Sequence, residues 1–88
     1  MSKITFAEDA WEEYLYWQSH DKKTLKKVNS LLKSIQREPF TGEGKPEPLK
    51  NSPDGEWSRR INNKDRLVYK ISKENITVIQ CKGHYNDK

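Results

Sequence analysis

The sequence has little apolar material and a single cysteine. Hydrophobic residues make up 32% of the 88 residues, mean hydropathy is −1.14, and no apolar run approaches the roughly 18 residues of a membrane span. Cys81 is the only cysteine, which excludes an internal disulfide and a cysteine-based zinc site. Residues 1–6 lack the long apolar segment of a secretory signal. We therefore expect a cytoplasmic protein that folds in a reducing compartment.

Aromatic residues are frequent for so polar a chain. Three Trp, four Tyr and two Phe argue against disorder, and the length predicts a single domain over residues 1–88. Residues 1–44 contain seven basic and seven acidic side chains, whereas residues 45–88 contain ten and six, so the net charge of +4 lies in the second half. This asymmetry suggests a partner that carries phosphates, although many basic proteins bind no nucleic acid.

A short strand and two helices are predicted in the first half. Alternation predicts a strand over residues 3–6, and residues 8–19 have helical spacing. Asp21 is a candidate N-cap for a second helix that ends after Arg37. Three residues of the first helix are expected to pack on the sheet: Trp11, Tyr14 and Leu15. The second helix has the clearest apolar periodicity, at Leu25, Val28, Leu31, Leu32 and Ile35.

The second half is predicted to form a long loop and then three strands. Residues 41–56 contain two glycines before Leu49, three prolines and almost no apolar residue, so they are interpreted as a loop that forms the wall of a site. Strand-like runs follow at residues 57–61, 66–71 and 76–82, separated by polar turns. The expected fold class is α+β, in the order β-α-α-β-β-β, with two helices on one face of a twisted, mainly antiparallel sheet.

The two faces of this sheet should differ in polarity. Alternation gives one mainly apolar face for the helices and a second face that collects arginine and lysine side chains. Arg59 and Arg60 fall on opposite faces and are expected to have different roles. The basic face could lie along RNA, but a solvated face that only confers solubility is the alternative, and the pattern alone favours that alternative.

Several long strings of the sequence resemble the YoeB (Txe) family of toxins within the RelE superfamily of ribosome-dependent ribonucleases. The resemblance runs nearly end to end, and long strings at family-like spacing are far more specific than a short motif. The matching strings are Trp11-Glu12-Glu13-Tyr14-Leu15-Tyr16-Trp17, Gly42-Glu43-Gly44-Lys45-Pro46-Glu47-Pro48-Leu49-Lys50, Trp57-Ser58-Arg59-Arg60-Ile61, Arg66-Leu67-Val68-Tyr69 and His84-Tyr85.

The resemblance implies a RelE-like fold, similar to microbial ribonucleases, and an endoribonuclease that cuts messenger RNA at the ribosome and inhibits translation. In this family the RNA's own 2′-hydroxyl attacks the adjacent phosphorus, so no metal or other cofactor is implied. The protein must take a proton from the 2′-oxygen, stabilise charge on the phosphoryl group and protonate the departing 5′-oxygen. The ribosome would hold the message in the geometry that allows this attack.

Carried over by position, the resemblance assigns roles to four residues. Glu47 matches the general base, Arg66 the arginine that contacts the scissile phosphate, and His84 the general acid. Tyr85 matches a tyrosine that takes part in catalysis or in orienting the RNA. Without the resemblance, Glu47 would be interpreted as an exposed loop residue.

Four further basic residues are expected to contact RNA or phosphate: Lys45, Lys50, Arg59 and Arg60. Solvated lysines are the ordinary interpretation of the pair that flanks Glu47. Because the two neighbouring arginines lie on opposite faces, pairing with a carboxylate or with an antitoxin protein is the alternative for one of them.

The partners implied by the resemblance are a YefM-like antitoxin, the decoding site of the ribosome with its messenger RNA, operator DNA through the antitoxin complex, and a second copy of the chain. A membrane is not expected. Two alternatives remain: a nucleic-acid-binding module or corepressor without catalysis, and an inactive toxin whose residues 86–88, beyond Tyr85, have removed activity.

Overall fold

A computed structural model of the chain describes residues 2–52 and 54–84. Strand β1 (Lys3–Phe6) leads into helices α1 (Glu8–His20) and α2 (Lys22–Arg37). The remaining strands are β2 (Glu47–Pro48), β3 (Trp57–Arg60), β4 (Arg66–Ser72) and β5 (Asn75–Gln80). They form one mixed sheet in the order β1-β5-β4-β3-β2, in which only β1 and β5 run parallel. The predicted α+β class is confirmed, and the structure adds β2 inside the predicted loop.

The helices begin and end where the sequence predicts. Asp21 caps α2, because its carboxylate accepts hydrogen bonds from the backbone N–H of Thr24 at 3.0 Å and from the Thr24 hydroxyl at 2.8 Å. These bonds hold the pKa of Asp21 below its usual range. The described helices include none long and apolar enough to cross a membrane.

Both helices pack on the same face of the sheet. The buried cluster joins Ala10 and Trp17 of α1 to residues of α2 and the sheet: Val28, Leu31, Leu32, Ile35, Ile61, Leu67, Tyr69, Ile76, Val78 and Cys81. The predicted packing face of α1 is partly wrong, because Trp11 is 46% exposed and stacks on Tyr14, while Ala10 and Trp17 are buried instead. The opposite face of the sheet, which the helices leave uncovered, is called the open face below.

A bulge near the end of β5 changes which residues reach the open face. Tyr69 pairs with Val78, whereas the preceding residue of β4, Val68, pairs with Gln80, so Ile79 is an extra residue on β5. Simple alternation would put Gln80 on the helix side with Val78. The bulge turns Gln80 to the open face and lets Cys81, which is fully buried, join the core.

Candidate active site on the open face

One row of paired residues crosses the open face. Glu47 pairs with Ser58, Ser58 with Val68, and Val68 with Gln80, so these four side chains leave the sheet on the same side. Neighbouring strands lie about 4.8 Å apart, which separates Glu47 from the β4 backbone by about 10 Å. Glu47 is therefore a residue of the sheet and not a plain loop residue.

The adjacent row contains two arginines. Arg60 and Arg66 pair directly across β3 and β4 on the open face, and the Arg66 guanidinium donates to the backbone carbonyls of Asn62 at 2.8 Å and Asp65 at 3.1 Å. Within the described residues the one ion pair lies elsewhere, between Lys27 and Glu43, so these guanidiniums have no carboxylate partner there. Like charges directly opposite each other are destabilising. An anion between them would remove that repulsion.

Short strand β2 is held on both sides of Glu47. Before the strand, the Gly44 carbonyl accepts from the Arg60 N–H at 2.7 Å, and after it the Leu49 N–H donates to the Glu56 carbonyl at 2.9 Å. Pro46 and Pro48 limit the backbone further, and a proline is tolerated here because β2 is an edge strand. The Glu47 carboxylate is consequently carried by a fixed backbone although its side chain is exposed.

Arg59 does not belong to this face, and the prediction that it contacts phosphate is wrong for the folded chain. Its side chain is 0% exposed and points to the helix side, paired with Leu67. All five N–H donors are used, because they bond to the Tyr69 hydroxyl, the Ser34 hydroxyl and the carbonyls of Glu38, Thr41 and Glu43 at 2.7–3.1 Å. Arg59 therefore fastens the loop between α2 and β2 to the core.

The same loop has two further attachments. Glu43 accepts from Lys27 at 2.9 Å and from the Ser30 hydroxyl at 2.7 Å, and the Ser30 bond, followed by Lys27, lowers the pKa of the Glu43 carboxyl. Gly44 has φ +86°, and a Cβ there would lie 2.7 Å from a Leu31 methyl carbon. A side chain at Gly44 would thus push the loop away from α2 just before it enters β2.

The predicted lysines and the histidine lie at the borders of the open face. Lys45 and Lys50 are exposed on either side of β2, and Lys45 has φ +53°. His84 is exposed and follows β5, and Gln80 donates to its backbone carbonyl at 3.1 Å. The prediction for Tyr85 falls outside the described residues, as do residues 86–88.

The chain between β5 and His84 is tied to the first helix. The Cys81 N–H donates to the Glu13 carboxylate at 2.8 Å, and the Trp17 indole N–H donates to the Cys81 carbonyl at 2.8 Å. Burial raises the pKa of Glu13, and it raises that of the Cys81 thiol to about 12. This segment therefore leaves the core at a fixed point and turns toward the β3–β4 end of the sheet.

Two residues that support the His84 segment, which is residues 81–84, are not among the sequence-based predictions. Asp65 is 4% exposed and accepts from the Gly83 N–H at 2.6 Å, and Gln80 donates to the carbonyls of Gly83 and His84. The Asn62-Asn63-Lys64-Asp65 turn was a visible signal for a side-chain-bonded turn. The orientation of Gln80 had no such signal, because it depends on the bulge.

Together, the open face presents a carboxylate, two guanidiniums and an imidazole-bearing segment at one end of a rigid sheet. A carboxylate can take a proton, guanidiniums can bind phosphate oxygens and an imidazole can supply a proton. Among the described residues there is no group of three or more His, Cys, Asp or Glu side chains that could hold a metal ion.

Comparison with known proteins identifies the family. The family model for YoeB-like toxins of bacterial type II toxin-antitoxin systems matches residues 6–85. A toxin YoeB from Synechocystis is 53% identical over 94% of this chain and 96% of its own. Among solved structures, a YoeB dimer from Staphylococcus aureus superposes with a TM-score of 0.90 at 49% identity, covering 96% of this chain and 98% of its own. A heterotetrameric YoeB-YefM toxin-antitoxin complex from the same organism gives 0.87 at 49% identity, covering 97% and 99%. The chain therefore belongs to the family of YoeB-like toxins of bacterial type II toxin-antitoxin systems.

Proposed function

We propose that this toxin is a ribosome-dependent endoribonuclease that cuts messenger RNA through the RNA's own 2′-hydroxyl. The observation that carries the proposal is the shared position of Glu47 and the Arg60–Arg66 pair on the open face, with the His84 segment bonded to the same end of the sheet. Membership of a toxin family supports it, because cutting messages inhibits growth.

In the proposed reaction each group has one task. The Glu47 carboxylate takes the proton of the 2′-hydroxyl, and the 2′-oxygen forms a bond to phosphorus as the bond from phosphorus to the 5′-oxygen breaks. The guanidiniums of Arg66 and Arg60 bind the phosphate oxygens as charge accumulates. His84 in its protonated form gives its proton to the 5′-oxygen. The products are a 2′,3′-cyclic phosphate and a 5′-hydroxyl, so protons balance without water.

The remaining predicted residues would help to hold the message. Lys45 and Lys50 are exposed beside β2 and could contact neighbouring phosphates, while Tyr85 would orient the RNA bases. A small, open sheet face has little power to bend RNA by itself. The decoding site of the ribosome would supply the aligned geometry, which explains why activity would require the ribosome.

The partner is proposed to be a YefM-like antitoxin whose acidic segment covers the basic open face, with the complex acting on operator DNA. A relative from Staphylococcus aureus forms a heterotetrameric YoeB-YefM complex, and another structure from that organism is a YoeB dimer. We propose the same dimer for this chain, in the cytoplasm. Sedimentation of the toxin alone and with antitoxin would test both assemblies.

The decisive experiment is primer extension on a message translated in a reconstituted system. Wild type should produce a new cut only with ribosomes, and Glu47→Gln and His84→Gln should each lower its rate by about 10²- to 10⁴-fold. Glu74→Gln is the matched control, because it changes an exposed glutamate in the turn at the other end of β4. A message with 2′-deoxyribose at the cut position should stay intact. Ribosome binding by wild type without any cut would contradict the proposal and favour a binding module.

A further inference from the structure

The turn between β3 and β4 holds the backbone next to His84 through a buried carboxylate. Asp65 Oδ1 accepts from the Gly83 N–H at 2.6 Å, and its Oδ2 accepts from the Asn62 side-chain amide at 3.0 Å. Asn62 is fixed in turn, because its Oδ1 accepts from the backbone N–H groups of Lys64 at 2.8 Å and Asp65 at 2.7 Å. Both carboxylate oxygens thus have a donor.

The other side of the same segment is held by the strands. The Gly83 carbonyl accepts from the Arg66 N–H at 3.0 Å and from the Gln80 side-chain amide at 3.0 Å. Gln80 also donates to the His84 carbonyl at 3.1 Å. Gly83 has φ +87°, which a residue with a side chain rarely adopts, so the sharp change of direction before His84 depends on this glycine.

The chemistry of the turn explains why a carboxylate occupies position 65. Both oxygens face N–H donors, so an asparagine there would direct its own NH₂ group at one of them. Burying a carboxylate is costly unless it is hydrogen-bonded, and these donors come from the turn and from the segment before His84. Asp65 and the Arg66 backbone therefore fix the segment to the end of the sheet that bears the Arg60–Arg66 pair.

We propose that Asp65 is a positioning residue that keeps the His84 imidazole beside the phosphate bound at Arg66. The inference rests on the proposed function, since it assigns Asp65 to the step in which His84 protonates the 5′-oxygen. Without the Asp65–Gly83 bond, the segment would retain its bonds from Gln80 and from the Arg66 N–H but lose its attachment to the turn. A displacement of about 1 Å at a reacting group can cost 10²-fold in rate.

The test compares two messages that differ in the leaving atom. In one, the scissile 5′-oxygen is replaced by sulfur, which departs without needing a proton donor, so a defect confined to His84 should disappear. Asp65→Ala and His84→Gln should each lower cutting of the ordinary message, Asp65→Ala by roughly 10- to 100-fold, and should approach wild type on the sulfur-containing message. Glu47→Gln should stay slow on both, because the 2′-proton must still be removed.

Controls separate positioning from folding. Glu74→Ala, which removes an exposed carboxylate from the opposite turn, should cut both messages like wild type. Asp65→Asn keeps the size of the side chain and should fall between wild type and Asp65→Ala. Equal losses on the two messages for both Asp65 variants, or wild-type cutting of the ordinary message by Asp65→Ala, would overturn the proposal.

A measurement without RNA tests the same bond. Hydrogen exchange of the Gly83 amide should be slow in wild type and at least about tenfold faster in Asp65→Ala, which removes the acceptor, with exchange in the core strands unchanged. Unaltered exchange at Gly83 would overturn the positioning role even if the toxin cuts RNA. Accelerated exchange in a protein that cuts no message would instead support the structural attachment and contradict the proposed function.

Discussion

Replacing Arg59 by methionine should destabilise the fold by removing contacts on the helix side of the sheet. Methionine has a similar length but offers no donor, so the carbonyls of Glu38, Thr41 and Glu43 would lose their bonds to the guanidinium. The Tyr69 hydroxyl would keep a partner, because it donates to the Pro39 carbonyl at 2.7 Å. The loop between α2 and β2 would then be attached mainly through Glu43 and Gly44.

The magnitude follows from the burial of the groups left behind. An unpaired buried carbonyl costs about 1–3 kcal/mol, and the three loop carbonyls are only partly buried, so the lower value applies to each. The expected loss is about 3 kcal/mol. Since a small domain has a free energy of unfolding of about 5–15 kcal/mol, this loss is large but leaves most molecules folded.

Urea unfolding followed by tryptophan fluorescence measures the effect, and Arg60→Met provides the matched control. Arg60 is the next residue but is exposed and lies opposite Arg66, so its replacement should change the free energy of unfolding by no more than about 0.5 kcal/mol. In the cleavage assay Arg60→Met should lose a phosphate contact directly, whereas Arg59→Met should lower cutting only through the displaced loop that leads into β2. Wild-type stability for Arg59→Met at an unchanged urea slope would refute the reasoning.

Three further predictions concern the loop and the core. Gly44→Ala should lower the free energy of unfolding by about 1–3 kcal/mol, because the added Cβ would contact Leu31. Gly55→Ala has no atom within 4 Å of the added Cβ, so it should lower the free energy of unfolding only by the strain of its positive φ. Urea unfolding measures both changes. Because the pKa of Glu43 is lowered in the folded protein, its carboxylate stabilises the fold above the ordinary glutamate pKa, and this stabilisation is lost as pH falls through the lowered value. Wild type and Glu43→Gln should therefore converge in their free energy of unfolding in acid. Since burial raises the pKa of the Cys81 thiol to about 12, iodoacetamide at neutral pH should label it only after unfolding, and rapid labelling of the native protein would contradict its burial.

The helices could be predicted because their signals are local. Periodicity and the Asp21 cap fix α2 within a few residues, and neither depends on the rest of the fold. The face of α1 was less predictable, since aromatic residues lie on several sides of the helix. Trp11 can remain exposed and stack on Tyr14, while the small Ala10 allows the helix to approach the sheet.

Strand β2 could not be predicted from its own residues. Glu47 and Pro48 form a two-residue strand between polar and proline-rich segments, with no alternation to detect. The strand exists because β3 offers an edge and because Arg59 and Gly44 fasten the preceding loop to the core. The candidate base is thus placed by contacts that are distant in sequence, which explains why resemblance found Glu47 and pattern did not.

For Arg59, alternation predicted the correct face of the sheet, but the residue type suggested the wrong role. Alternation put Arg59 on the side of Trp57 and Ile61, away from Arg60, and the structure confirms that division. An arginine is rarely buried without a carboxylate, so a role at the phosphate was the natural interpretation. Carbonyls of the α2–β2 loop and two hydroxyls outside it accept hydrogen bonds from the guanidinium, which makes its burial feasible. No local sequence pattern indicates these partners.

The placement of Arg59 and Arg60 on opposite faces also explains how the open face can hold two arginines on neighbouring strands. Arg60 and Arg66 repel each other across neighbouring strands, and a pliable sheet would relieve the repulsion by separating them. Here β3 is held from the helix side, because Arg59, the residue before Arg60, pairs with Leu67 and its guanidinium bonds to the loop. The fixed strands keep the two arginines paired across β3 and β4, and the phosphate of the proposed reaction would reduce their repulsion. The network around Arg59 therefore serves the proposed reaction without contacting the RNA.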